Sequence, residues 1–127
     1  MTYKSSKVTD AERLAWQRKG TAALGKLLGA AHAKRLPTLL WSVGLTGELI
    51  GTVPHVLLPS VEELRALLTR DWTAWVEALG ATPRQIAGGY DRDYLHAETF
   101  VERSVLVVLK CVLPERAPIL DDGTVRS

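Results

Sequence analysis

The sequence predicts an α+β fold: an α-β-β-α-β-β order building a four-stranded antiparallel sheet with the second helix packed on one face. Three observations carry this. Apolar residues recur at helical spacing behind capping-box starts at Thr9 and Ser60. Residues 39–43 and 95–102 alternate instead with a period of two, and 48–53 and 104–113 are apolar, strand-like runs. Glycines and prolines punctuate the segments, at Pro37, Gly44 to Gly47, Pro54, Gly80 and Pro114.

The 127 residues suit one domain, read as 9–114 between a polar, disordered segment at 1–8 and a polar tail at 115–127. Hydrophobic content of 46% and charged content of 24% exclude disordered and fibrous classes.

The first helix starts at Thr9-Asp10-Ala11-Glu12, where the Thr9 hydroxyl takes the N3 amide and Glu12 reaches back. Leu14, Thr21, Leu24, Leu28 and Ala31, flanked by Leu27, form its expected buried stripe, leaving Arg13, Lys19 and Lys26 to water. Lys34 and Arg35 suit its C-terminal dipole end. Gly20, Gly25 and Gly29 each cost about 1 kcal/mol against Ala in a helix, so they imply close approach of a neighbour. Packing on a sheet is the reading preferred over helix pairing through the Gly25/Gly29 spacing.

Leu39, Trp41 and Val43 alternate with Leu40 and Ser42 as a strand; Gly44-Leu45-Thr46-Gly47 turns the chain; Glu48 to Val53 returns it as a hairpin. Gly51 marks a bulge or a close backbone approach. Pro54 to Pro59 connects to the second helix, which opens with the capping box Ser60-Val61-Glu62-Glu63. Val61, Leu64, Leu68, Trp72, Trp75 and Leu79 lie on one face and form core, and Gly80 ends the helix. A loop with Gly88-Gly89 and Asp91-Arg92-Asp93 leads to a strand in which Leu95, Ala97, Thr99 and Val101 alternate with His96, Glu98, Phe100 and Glu102. Glu102-Arg103 turns into a last strand, Ser104 to Leu113, apolar on both faces apart from Ser104 and Lys110.

The sheet face opposite the second helix then carries Phe100 with either Leu106, Val108 and Val112 or Val105, Val107 and Leu109. Either set needs a cover, from the first helix or from a second subunit. The residues marked as an interface are Phe100, Leu106, Val107, Val108 and Val112.

Cys111 is the lone cysteine, which favours a reducing cytoplasm and removes zinc ribbons and thioredoxin-like sites. Residues 1–7 show no apolar signal region, and the longest apolar run, Val105 to Leu109, is far below the roughly 18 residues of a membrane helix. A soluble cytoplasmic protein with no membrane partner is expected.

Net charge is +2, unevenly spread: residues 1–35 hold eight bases and two acids, the rest eight bases and twelve acids. Arg13, Arg18, Lys19, Lys26, Lys34 and Arg35, with Tyr3 and Trp16 for stacking, form a candidate nucleic-acid surface. No helix-turn-helix, RRM or zinc-finger pattern accompanies them, so a basic helix over an acidic remainder is the preferred reading.

His96 and Glu98 share a strand face about 7 Å apart and are the candidate acid/base or metal pair. The H-x-E resembles that of zinc deaminases, but Cys111 is followed by Val112, Leu113 and Pro114 and no P-C-x-x-C exists. His32 and His55 are isolated, and Asp91 and Asp93 lack an EF-hand pattern. No metal and no cofactor are assigned. Phosphate-loop, dinucleotide and nucleophile-elbow motifs are absent, and Cys111 reads as a buried hydrophobe. The chain leans towards a non-enzyme.

Leu36 to Val43, Gly47 to Val53 and Ala74 to Ala81 together resemble a pattern in short uncharacterised actinobacterial proteins, across about a third of the chain. The lack of Asn and abundance of Ala, Leu, Gly and Arg match a high-GC genome. The resemblance implies a bacterial cytoplasmic protein and transfers no activity or functional residue. The expectation is a small non-enzymatic interaction or regulatory protein, acting as a homodimer or with another protein. The alternative is a nucleic-acid accessory factor using the basic helix; a third reading is an enzyme or ligand carrier around His96 and Glu98.

Overall fold

The computed structural model of the chain describes residues 8–85 and 94–114. Residues 1–7 of the expected segment 1–8, Gly88-Gly89, Asp91, Asp93 and the tail 115–127 lie outside the described residues. The elements are α1 (Asp10–Ala33), β1 (Leu40–Val43), β2 (Leu49–Thr52), α2 (Val61–Leu79), β3 (Thr82–Gln85), β4 (Tyr94–Val101) and β5 (Val105–Val112).

Local signals set the helix ends. At α1 the Glu12 N–H donates to Thr9 Oγ1 at 3.1 Å, and the Thr9 N–H donates to the Glu12 carboxylate at 3.3 Å. At α2 the Glu63 N–H donates to Ser60 Oγ at 3.1 Å. Gly80 ends α2 in the left-handed region at φ 63, which costs glycine no Cβ clash.

The sheet has five strands in the order β1-β2-β5-β4-β3 and is mixed, which corrects the expected four-stranded antiparallel arrangement within the α+β class. The missing strand is Thr82-Pro83-Arg84-Gln85, which pairs antiparallel with β4. Its proline and short length read as loop in sequence. Proline is tolerated because β3 is an edge strand, where an absent N–H breaks no ladder. Counting β3 also explains the parallel pairing of β2 with β5. The chain returns through α2, runs out along β3, back along β4 and out again along β5, so β5 points the same way as β2.

One core fills the space between the sheet and both helices. Leu68, Trp75 and Val76 of α2 share it with Leu49, Ala97, Val105, Val107, Leu109 and Cys111 of the sheet and with Ala23, Leu27 and Ala31 of α1. Trp75 Nε1 donates to Pro37 O at 2.7 Å and Trp72 Nε1 to Leu109 O at 3.1 Å, so each inserted indole also satisfies its N–H. Gly51 is a close-approach site: a Cβ there would lie 2.8 Å from the Trp41 ring, which packs over the bare backbone.

The buried stripe of α1 differs from the expected one. Gly20, Ala23, Leu27 and Ala31 face inward, while Leu14 is 59% and Leu28 43% exposed. Small residues face inward because the helix approaches its support closely: a Cβ on Gly20 would lie 2.3 Å from Gly47 O in the β1–β2 turn. Gly25 and Gly29 meet nothing within 4 Å, so neither sheet packing nor a helix partner occupies that side among the described residues.

Both helices therefore pack on the same sheet face, and α1 does not supply the cover for the second one. That second face carries Leu40 and Ser42 of β1, Ile50 and Thr52 of β2, Leu106, Val108, Lys110 and Val112 of β5, and Tyr94, His96, Glu98 and Phe100 of β4.

Candidate functional site

His96 and Glu98 meet on the helix-free face. The β4 pleat places them on one side, and the ladders set Arg84 and Lys110 as the cross-strand neighbours of His96. His96 Nε2–H donates to Glu98 Oε2 at 2.8 Å, because a carboxylate only accepts. Arg84 Nε stands 3.4 Å from Glu98 Oε1, and the Tyr94 ring stacks on the imidazole with centroids 6.4 Å apart. The His96 hydrogen bond is the main force holding the Glu98 carboxyl below its usual range, with the Arg84 and His96 charges adding to it and partial burial opposing.

This arrangement suits a cross-strand clamp better than acid/base chemistry. His96 is 7% exposed, and its Nδ1 is buried with no partner among the described residues. A general base needs a nitrogen within reach of a substrate proton, and here one nitrogen is engaged and the other is closed off. His32 and His55 do not join it: His55 Nε2 bonds to Val112 O, and His32 lines a cleft of about 160 Å³ near Trp41 and Trp75. Among the described residues no three His, Cys, Asp or Glu side chains gather to hold a metal.

The residues marked as an interface divide between the faces. Phe100, Leu106, Val108 and Val112 share the helix-free side, whereas Val107 is fully buried in the core beneath the helices. The candidate nucleic-acid cations lie along α1 and directly past its end. Arg13 pairs with Asp10 at 3.4 Å, Lys26 with Glu102 at 2.8 Å, and Lys19 donates to the Ser104 hydroxyl. Arg18 lies in a shallow groove with Leu14, Thr21 and Ala22, and Lys34 and Arg35 are exposed past the helix end. Cys111 is buried, and burial first, then the Asp71 charge, pushes its thiol up to about 11, with Arg65 opposing; it is protonated and inert at neutral pH.

A second concavity involves residues that sequence reasoning did not join. The first half of α1, the β1–β2 turn and the β4–β5 turn enclose about 320 Å³ between Trp16, Lys19, Thr46, Glu48, Ser104 and Leu106. Glycine-on-glycine contact builds its wall: Gly47, at φ +84, would place a Cβ 2.3 Å from Trp16 O, and Gln17 Nε2 donates to Leu45 O at 3.3 Å. The one sequence signal for this wall was Gly20, whose cost within a helix implied a close neighbour.

No family model, curated protein or solved structure matches this chain.

Proposed function

We propose that this is a small non-enzymatic cytoplasmic interaction protein that works as a homodimer, two copies meeting through the helix-free faces of their sheets. One observation carries the reading: with α1 and α2 on the same side, the other side leaves Phe100 65% exposed opposite Leu106 and, on the edge strand β1, Leu40 63% exposed near Ile50. Apolar surface of this kind, rimmed by polar groups, is the mark of association.

A closed two-fold pair of copies is the commonest way for one chain to cover such a face. Register places Ser42, Ile50, Val108, Glu98 and Thr82 in one row across the strands, and Leu40, Thr52, Lys110, His96 and Arg84 in the next. A two-fold axis running between the rows sets Glu98 of one copy over the His96 and Arg84 end of the other copy's row, with Ile50 over Thr52 and Val108 over Lys110. The lone cysteine supports a reducing compartment.

Light scattering across a dilution series tests this. The expected mass is two chains, and Leu40→Asp with Phe100→Asp, both at exposed positions, is expected to give one folded chain. A native mass of one chain at micromolar concentration, or an unchanged mass in the double variant, overturns the reading. Val107→Glu is the control: it strikes the core and is expected to unfold the protein rather than divide a dimer.

A further inference from the structure

We infer that the cavity between α1 and the two hairpin turns binds a small zwitterion bearing an aromatic side group, the chemistry of a free aromatic amino acid. Its volume of about 320 Å³ is sufficient for such a molecule and falls within the range of natural ligand sites.

The polar groups explain the choice. Lys19 and Glu48 both line the cavity, yet they form no ion pair with each other. The described partner of the Lys19 ammonium is the neutral Ser104 hydroxyl, and that of the Glu48 carboxylate is the neutral Thr46 hydroxyl. Lys26, one helical repeat along, is instead neutralised by Glu102. Among the described residues the cavity thus offers one cation and one anion, each without a charged partner. A simple anion meets Glu48 and a simple cation meets Lys19, each with a like charge that costs binding. A ligand carrying both charges satisfies both walls, with its carboxylate on Lys19 and Ser104 and its ammonium on Glu48 and Thr46. The Trp16 indole, 36% exposed on the same wall, and Leu106 provide a platform for an apolar ring.

The walls of the site are also tied to one another. The Gly20–Gly47 approach leaves no room for a side chain between the β1–β2 turn and α1. The β4–β5 turn holds two non-glycine residues in the left-handed region, Glu102 at φ 47 and Arg103 at φ 71. Such conformations persist where surroundings impose them and recur at ligand clamps; here Lys26 and Lys19 of α1 tie down both Glu102 and Ser104 of that turn.

The test is a titration of the full chain with L-phenylalanine, followed at the Trp16 indole N–H by NMR, the signal being identified with Trp16→Phe, and by calorimetry. L-phenylalanine is expected to bind saturably and shift that signal. 3-Phenylpropionate, which lacks the ammonium, and phenethylamine, which lacks the carboxylate, are each expected to bind about tenfold more weakly. Lys19→Met is expected to weaken L-phenylalanine about tenfold while strengthening phenethylamine, which no longer meets a like charge, and Lys19→Arg to retain binding. Lys19 is exposed, so these variants keep the fold, which circular dichroism verifies. No saturable shift up to about 10 mM, equal affinity for the three probes, or full affinity in Lys19→Met overturns the inference.

Discussion

Helices α1 and α2 lie on the same face of one sheet and are attached to it by opposite means. α2 anchors by volume: Leu68 and Trp75 are fully buried, and two indole N–H groups reach backbone carbonyls below. α1 anchors by closeness, turning Gly20, Ala23 and Ala31 inward and leaving Leu14 and Leu28 to the outside. An apolar stripe therefore reports burial only where a helix stands off from its support by the width of large side chains. Where backbones nearly touch, as at Gly20, small residues go in, and Leu14 and Leu28 lie on the surface while Leu27 of the same helix is buried. The same closeness creates the cavity beside Trp16, because it holds α1 and the β1–β2 turn in one fixed relation.

The largest test of this contrast is truncation on each helix. Trp75→Ala is expected to cost about 3–5 kcal/mol by urea denaturation, because it empties the centre of the core and orphans Pro37 O. Leu28→Ala, on the exposed side of α1, is expected to change stability by about 0.5 kcal/mol or less. Similar losses at both positions would break the comparison.

Glycines within α1 sharpen it. Gly20→Ala is expected to destabilise by about 1–3 kcal/mol, because the new methyl meets backbone rather than a side chain that can swing away. Gly25→Ala is expected to stabilise by about 1 kcal/mol, since nothing lies within 4 Å and only helix propensity changes. Calorimetric melting of the two variants should therefore move in opposite directions.

The seal made by α2 has a pH signature at Cys111, whose thiol is raised to about 11 by burial first and by Asp71 of α2 second. The unfolded chain loses this proton before the native one does. Stability is therefore fully present below about pH 9 and falls as pH rises towards 11, by on the order of 1 kcal/mol at pH 10. Urea midpoints at pH 8 and 10 should show that fall in the native protein, and a smaller one in Cys111→Ala.

The α1 tether supplies the smallest effect. The Lys26 hydrogen bond, then its charge, holds the Glu102 carboxyl below the usual range. Its contribution is present above that range and is lost as pH falls through the lowered value. Because the pair is exposed, Glu102→Gln should move the melting temperature slightly at low salt and not at all near 1 M salt.

Much of the α2 side was legible in the sequence. Ser60 and Gly80 bound the helix as read, and Leu64, Leu68, Trp72, Trp75 and Leu79 all pack on or in the core. The His96–Glu98 pair was legible too, since residues two apart on a strand share a face. The stripe on α1 was not, because apolar residues occupy both of its sides and no period selects one. β3 was hidden by Pro83, and the cavity residues by distance along the chain, Lys19 and Ser104 being 85 positions apart.

By itself, then, the sequence determined where each helix begins and ends, the turns of both hairpins and the inward face of α2. Caps, glycines, prolines and side-chain period act within a few residues and need no partner. Tertiary structure alone decided that β5 runs parallel beside β2, that α1 turns its small residues inward, and that Lys19 and Glu48 line one cavity. Each of these depends on surfaces brought together across the chain, and their free energy exists only once the sheet has formed.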